Sequence, residues 1–174
     1  WAVDELKMAS AKRMDIHFTG FKDSPLERHL YHAGIPALGG ANAQLISRDA
    51  DLAPSRITEP GKTWAITMAP DGKSFVGASS SPGQPPQVGL YRADGSLIAW
   101  IEENRLDESH PYAPFLPDHS LPEFGTLKAE DGQDLHYSIL KPPGFDPAKK
   151  YPVIVEVYGG PHVQTVVNEW ARVS

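Results

Sequence analysis

A tyrosine followed by two glycines is the clearest candidate for chemistry in this chain. Tyr158-Gly159-Gly160 comes directly after residues 151–157, a nearly continuous β-branched run of the kind that forms a strand buried on both faces. Ligands of open α/β sheets bind at the carboxyl ends of such strands. A phenol, with a reference pKa of about 10, keeps its proton at neutral pH. Tyr158 can therefore act as a hydrogen-bond donor at this position, and the glycines let the backbone turn tightly beside it.

Two pairs of polar residues resemble binding sites, but their context favours structural roles. His29 and His32 have a spacing that suits a metal site on a helix, yet their segment has the pattern of a strand, where residues three apart point to opposite sides. No carboxylate cluster accompanies them. Glu102-Glu103 ends a predicted strand, where exposed charge is the usual arrangement. The sequence therefore predicts no metal site and no cofactor.

An activated nucleophile is missing from the sequence. The chain has no cysteine, and the Gly-x-Ser-x-Gly elbow of serine hydrolases does not occur. The nearest match, residues 77–81, lacks the second glycine and falls in a predicted strand. Glu156 interrupts the apolar run before Tyr158. Because a buried carboxylate must be paired or neutralised, we expect Glu156 to form an ion pair within the sheet.

Short strands and turns make up the chain as far as about residue 105. The clearest unit has four strands, predicted at 64–69, 74–79, 87–92 and 97–101. Asp-Gly turns, which are typical of hairpins, connect the first strand to the second and the third to the fourth, and residues 81–86 between the middle strands are predicted to be a loop. Four antiparallel strands in about 40 residues indicate one blade of a β-propeller. The preceding blade is predicted from weaker signals at 14–19, 28–32, 44–47 and 55–58.

Four prolines between residues 110 and 122 mark a change in the pattern: Pro111, Pro114, Pro117 and Pro122. Proline lacks a backbone donor, so this run is predicted to be neither helix nor central strand. We place a domain boundary here. Beyond it, a hairpin with strands at 124–129 and 135–140 precedes the apolar run 151–157.

This order of parts resembles the prolyl oligopeptidase family of serine peptidases. Residues 149–161, which end in Tyr-Gly-Gly-Pro, carry most of that resemblance. Further motifs resemble the dipeptidyl peptidase IV branch, in its bacterial form: His29-Leu30-Tyr31, Arg56-Ile57-Thr58, residues 70–75, residues 80–86 and Glu102-Glu103-Asn104. The resemblance extends over essentially the whole chain.

The resemblance implies a mixed fold in two parts. Residues 1–117 would be the C-terminal part of an antiparallel β-propeller, about two blades plus a linker, and residues 118–174 the start of an α/β-hydrolase catalytic domain. The implied activity is that of a serine exopeptidase releasing N-terminal dipeptides with proline or alanine second. Tyr158 would donate to the oxyanion of the tetrahedral intermediate. The Ser-His-Asp triad would lie beyond Ser174, and the glutamate pair that holds the substrate amine would precede Trp1.

Composition and resemblance together set the expected partners. A formal net charge of -6 argues against nucleic acid, and no apolar run approaches the roughly 20 residues of a membrane span. The resemblance implies peptide substrates, a homodimer and a periplasmic location. Without the triad, the chain itself is expected to be inactive. Two alternatives stay open: an acylaminoacyl-peptidase or oligopeptidase relative, and a non-catalytic propeller–hydrolase homologue.

Overall fold

The computed structural model describes residues 2–12, 14–34, 53–160 and 163–170. Within these ranges the chain forms ten β-strands and one 3₁₀ helix, Ala113–Asp118. The strands are β1 Val3–Ser10, β2 Asp15–Gly20, β3 His29–Gly34, β4 Ser55–Arg56, β5 Thr63–Met68, β6 Ser74–Ser81, β7 Gln84–Arg92, β8 Leu97–Glu102, β9 Glu123–Lys128 and β10 Asp134–Ile139. The strand predicted at 44–47 lies outside the described residues.

Packing divides the chain into two compact units. The first unit contains residues 1–104 together with 168–174, and the second contains residues 105–167. These limits describe packing alone, so the division into domains at 1–117 and 118–174 stays a prediction. In the part of the chain that the structure describes, no helix is long and apolar enough to cross a membrane.

Two four-stranded antiparallel sheets build the first unit. The first sheet has the order β1-β2-β3-β4 and the second the order β5-β6-β7-β8. The second sheet confirms all four strands predicted for the clearest blade. Its hairpin turns contain Gly72 and Gly95, which have φ angles of 65° and 89° that other residues adopt only with strain. The second sheet is therefore a simple meander whose hairpins depend on these turns.

An aromatic core lies where the two sheets face each other. Leu30 of β3 packs with Trp64, Ile66, Phe75 and Tyr91 of the second sheet. The Tyr91 ring stacks on Phe75 with centroids 5.2 Å apart and meets Trp64 edge-on at 5.5 Å. Both arrangements are favoured by aromatic quadrupoles. The core thus belongs to both sheets, and neither sheet could bury these rings alone.

Hydrogen bonds at Trp64 fix the second sheet against the first. The Trp64 amide donates to the Arg28 carbonyl at 2.9 Å. In return, Nε of Arg28 donates to the Trp64 carbonyl at 3.0 Å, and the indole Nε1 donates to the Glu59 carbonyl at 3.0 Å. The buried ring of Trp64 therefore has its polar atoms satisfied, and its backbone sets where β5 begins.

The second unit contains one hairpin, which confirms the prediction. Strands β9 and β10 pair in register, with Leu127 opposite Leu135. The turn between them contains Gly132, which has a φ angle of 85°. Tyr137 lies opposite Gly125, and its ring occupies the space that a Cβ on that glycine would need. A two-stranded hairpin is marginally stable by itself, and Leu127 and Leu135 are both exposed.

The proline-rich run contains a helix, so the prediction that it would be irregular was wrong. The 3₁₀ helix Ala113–Asp118 has Pro114 in its first turn and Pro117 within it. Proline is tolerated in a first turn because the missing amide has no helical partner there. Short 3₁₀ segments require few internal hydrogen bonds. The fixed φ of proline therefore favours this short turn even though it excludes a longer helix.

The strand predicted at 151–157 is absent from the structure. This run has no strand assignment, and Val153, Ile154, Val155 and Val157 are 80, 97, 76 and 81% exposed. A strand buried on both faces needs neighbouring strands on both edges and packing on both faces, and no described strand pairs with it. Among the described residues the second unit therefore shows no part of a parallel α/β sheet.

Truncating Phe75 tests the shared aromatic core. Phe75 is 1% exposed, so Phe75→Ala should lower the free energy of unfolding by about 3–5 kcal/mol through lost burial and a cavity. Chemical denaturation of the two variants gives the comparison. Phe115, which is 60% exposed, supplies a matched control, and Phe115→Ala should change stability by less than about 0.5 kcal/mol. Equal losses in both variants would contradict the assigned core.

Candidate functional site

Tyr158 is accessible and lies against its own glycine turn. Its side chain is 48% exposed. A Cβ added to Gly160 would lie 2.5 Å from the Tyr158 Oη and 2.6 Å from Cζ, whereas a Cβ on Gly159 would meet nothing within 4 Å. Gly160 is therefore the glycine that makes room for the phenol. The arrangement offers one neutral O–H donor at the surface, next to the carboxyl end of the apolar run.

Glu156 does not form the ion pair that was expected. Its side chain is exposed, and no ion pair to it occurs among the described residues. The expectation assumed that Glu156 lies in a buried strand. It was wrong because no described strand neighbours the run 151–157 and buries it. Glu156 is thus a solvated carboxylate in this structure.

Glu102 and the Gly77–Ser81 segment take structural positions in the second sheet. Glu102 ends β8 as predicted, and its carboxylate accepts a hydrogen bond from the Asn104 amide at 3.0 Å. That bond supports Asn104, which has a positive φ of 44°. Ser79 lies within β6 and is 3% exposed. Neither feature presents a group for catalysis.

The two histidines of β3 have separate environments, as the strand prediction required. His29 is fully buried, whereas His32 is partly exposed and faces Asp15, with Nε2 3.5 Å from the carboxylate. The His32 ring also lies 5.0 Å from the ring of His17, its partner across β2. In the described ranges, no three histidine, cysteine or carboxylate side chains are grouped so that they could hold a metal ion.

A polar network around Glu27 went undetected by sequence reasoning. The Glu27 carboxylate accepts hydrogen bonds from His29 Nε2 at 2.9 Å, from the Gly61 amide at 3.1 Å and from Asn168 Nδ2 at 2.7 Å. Thr58 Oγ1 accepts from the Leu30 amide and lies 3.0 Å from His29 Nδ1. If the Thr58 hydroxyl donates to Nδ1, the network assigns the neutral His29 tautomer with its proton on Nε2.

Asn168 joins this network from far along the chain. Its amide donates to the Leu26 carbonyl at 2.8 Å, and its carbonyl accepts from Thr63 Oγ1 at 3.1 Å. Two residues later, the Trp170 amide donates to Ser80 Oγ at 3.2 Å. Residues 168–170 are thus held by the connection between β2 and β3 and by the second sheet. Because Asn168 is 141 residues from Glu27, no local pattern could indicate this contact.

Burial and hydrogen bonding act differently on the two ionisable groups of the network. Burial disfavours a charged Glu27, but the hydrogen bonds from His29, Asn168 and the Gly61 amide outweigh it and hold the pKa of Glu27 below its ordinary value. Burial also lowers the pKa of His29, and the opposing attraction of Glu27 is too weak to reverse it. Both shifts favour a neutral imidazole beside an ionised carboxylate at neutral pH.

Comparison with known proteins shows that the chain is similar to dipeptidyl peptidases. Residues 1–86 match the family model described as the dipeptidyl peptidase IV N-terminal region. Dipeptidyl peptidase 8 of Mus musculus is 29% identical over 91% of this chain. The probable dipeptidyl-aminopeptidase B of Tuber melanosporum is 30% identical over 97% of it. The chain spans 17% of the length of each of these relatives.

A solved structure shows a similar fold. The crystal structure of Porphyromonas gingivalis dipeptidyl peptidase 4 matches 98% of this chain with a TM-score of 0.76, at 21% sequence identity. The match covers 22% of that structure's chain. At this identity the likeness concerns the fold and carries no residue roles.

Acid should destabilise the first unit through His29 and then Glu27. Because the folded-state pKa of His29 is lowered, its stabilising contribution is present above the unfolded value of about 6.5 and is lost as pH falls below it. The lowered pKa of Glu27 adds a second loss below about 4.5. Urea midpoints between pH 8 and 3 measure both steps.

Replacing His29 should show how much this residue contributes to the pH dependence of stability. In His29→Gln the decline between pH 7 and 5 should become shallower, whatever the variant's absolute stability. The control His136→Gln, in the second unit, should keep the wild-type slope. An unchanged slope in His29→Gln would show that His29 is not the titrating group.

Proposed function

Because the chain is similar to dipeptidyl peptidases over nearly its whole length, we propose that it is part of a serine exopeptidase that releases N-terminal dipeptides. The preferred substrates carry proline or alanine in the second position. The observation that carries this proposal is the continuous similarity to dipeptidyl peptidases, which extends over 97% of the chain. Since the chain spans 17% of those relatives, the activity is proposed for the whole protein.

Within that activity, Tyr158 supplies one donor of the oxyanion hole. Attack on a peptide carbonyl places negative charge on its oxygen, and a donor already aimed at that oxygen stabilises the transition state more than the bound substrate. The contacts of the tyrosine support this role. Its ring lies against Gly160, while its side chain remains 48% exposed and able to meet a substrate.

We also propose that residues 118–174 begin an α/β-hydrolase domain. Four branched side chains of the run 151–157 are at least 76% exposed, a contiguous apolar surface that soluble proteins normally cover. Pairing with strands outside this segment would bury the run and hold Tyr158 at the end of a rigid strand.

We further propose, from the resemblance to the family, that the full-length protein is a homodimer. Light scattering of the full-length protein tests its oligomeric state directly.

In the full-length enzyme, Tyr158→Phe should lower kcat much more than it changes KM. The ring and its packing survive, while one donor to the developing charge is lost. Such a loss typically costs about 10²–10³ in rate, with little effect on ground-state binding. Steady-state hydrolysis of an alanyl-prolyl anilide, together with the melting temperature of the variant, makes the measurement.

Tyr137→Phe is the matched control, because Tyr137 packs on the hairpin of β9 and β10. Its kcat should stay within about threefold of wild type. A folded Tyr158→Phe enzyme with equally normal kcat would refute the oxyanion role, provided that acylation limits the rate.

The 174-residue chain alone should release no chromophore from the same anilide. It lacks both cysteine and a Gly-x-Ser-x-Gly elbow, so it has no activated nucleophile of either kind. Turnover by the purified chain that persists after treatment with a serine-directed inhibitor would show that another chemistry operates here.

A further inference from the structure

An open cleft lies at one end of the two sheets of the first unit. Its volume is about 690 Å³, and its walls come from the beginning of β2, the end of β3, β4, the β5–β6 turn and the end of β7. Three cationic side chains reach it from three separate elements: Arg56 of β4, Lys73 of the turn and Arg92 of β7. We call this feature the basic cleft.

Cationic side chains are concentrated in the basic cleft. The chain as a whole carries a formal net charge of -6, whereas the cleft brings three cations together with Asp15 and Asp94 of its lining and with Asp23, which pairs with Arg56. His32 also lines it. A concave surface focuses such a potential and raises the local concentration of oppositely charged ligands.

Both carboxylates already have partners on their own side of the cleft. Oδ1 of Asp94 accepts hydrogen bonds from the amide and the hydroxyl of Ser96, at 2.8 and 2.6 Å. Asp15 faces His32 at 3.5 Å. These acids lower the net charge of the cleft but form no ion pair with Lys73 or Arg92 among the described residues.

The cations keep unused donor capacity. One guanidinium nitrogen of Arg56 contacts Asp23 at 2.7 Å, which leaves other N–H groups of its fork. Nη1 of Arg92 makes a long hydrogen bond of 3.5 Å to Ser96 Oγ. For the ammonium of Lys73, the described part of the chain shows no ion pair. A guanidinium has five donors arranged to suit carboxylate and phosphate oxygens, and an ammonium adds a compact point charge.

We propose that the basic cleft binds a small anion that carries a phosphate or carboxylate group. Lys73 and Arg92 supply its main charge-assisted hydrogen bonds, and Arg56 adds a donor held in place by Asp23. All three side chains belong to the first unit, and none of them takes part in the chemistry proposed for Tyr158. The inference therefore does not depend on the peptidase proposal.

Calorimetric titration of the full-length protein with inorganic phosphate tests the site, at constant ionic strength maintained with sodium chloride. Saturable binding is expected for the wild type. Each of Lys73→Met and Arg92→Met should weaken binding by about fivefold, the upper end of the effect of losing one exposed charge contact. Lys73→Arg, which keeps the charge, should stay within about threefold.

Lys62→Met is the matched control, because Lys62 pairs with Glu59 and does not line the basic cleft. It should change phosphate affinity less than twofold. A parallel titration with acetate distinguishes the two ligand classes: competition with phosphate indicates a general carboxylate or phosphate site, and its failure restricts the site to phosphate. Wild-type heats that do not saturate, or equal losses in the Lys62 and Lys73 variants, would overturn the proposal.

Discussion

The packing of two sheets around one aromatic core is the constraint on which the first unit depends. An antiparallel meander can leave one face to water, but its other face must be covered. Leu30 brings β3 into contact with the rings of Trp64, Phe75 and Tyr91, so that the first sheet covers the second. The Trp64 amide and carbonyl both bond to Arg28, which sets the position of one sheet on the other. The basic cleft follows from this placement, because it takes its residues from both sheets.

The Glu27 network shows how a partly buried charge is accommodated in the first unit. A carboxylate removed from water is costly unless hydrogen bonds replace its hydration. Here a ring nitrogen, a backbone amide and the Asn168 side chain supply those bonds. The network thereby holds Asn168 and the residues that follow it in the first unit. Removing one partner would leave the others with an unsatisfied charge, so its members are coupled rather than additive.

Sequence patterns within single segments predicted the strands and turns that depend on interactions between residues close together in the chain. Alternating strands and two Asp-Gly turns predicted the second sheet, and all four strands were confirmed together with the hairpin β9–β10. The loop predicted at 81–86 was wrong in extent, because β6 continues to Ser81 and β7 begins at Gln84. Strand β1 was not singled out, because register shifts between Val3 and Glu5 and between Leu6 and Met8 interrupt the alternation. The Asn168 contact and the basic cleft depend on residues brought together from distant positions. No spacing rule within one segment could have found them.

The apolar run 151–157 has the sequence pattern of a buried strand, but the described residues include no neighbouring strands that could bury it. Its β-branched residues predicted a strand buried on both faces, but burial depends on neighbours, and the described residues provide none. The same four side chains that made the prediction are therefore the most exposed apolar residues of the second unit. Glu156 is explained in the same way, since a carboxylate in an exposed segment needs no partner. Tyr158 is positioned locally by its contact with Gly160, while its rigidity as a donor would have to come from pairing of the run that precedes it. An oxyanion donor gains its catalytic effect from being aimed before charge develops, so burial of this run and the chemistry proposed for Tyr158 are one requirement.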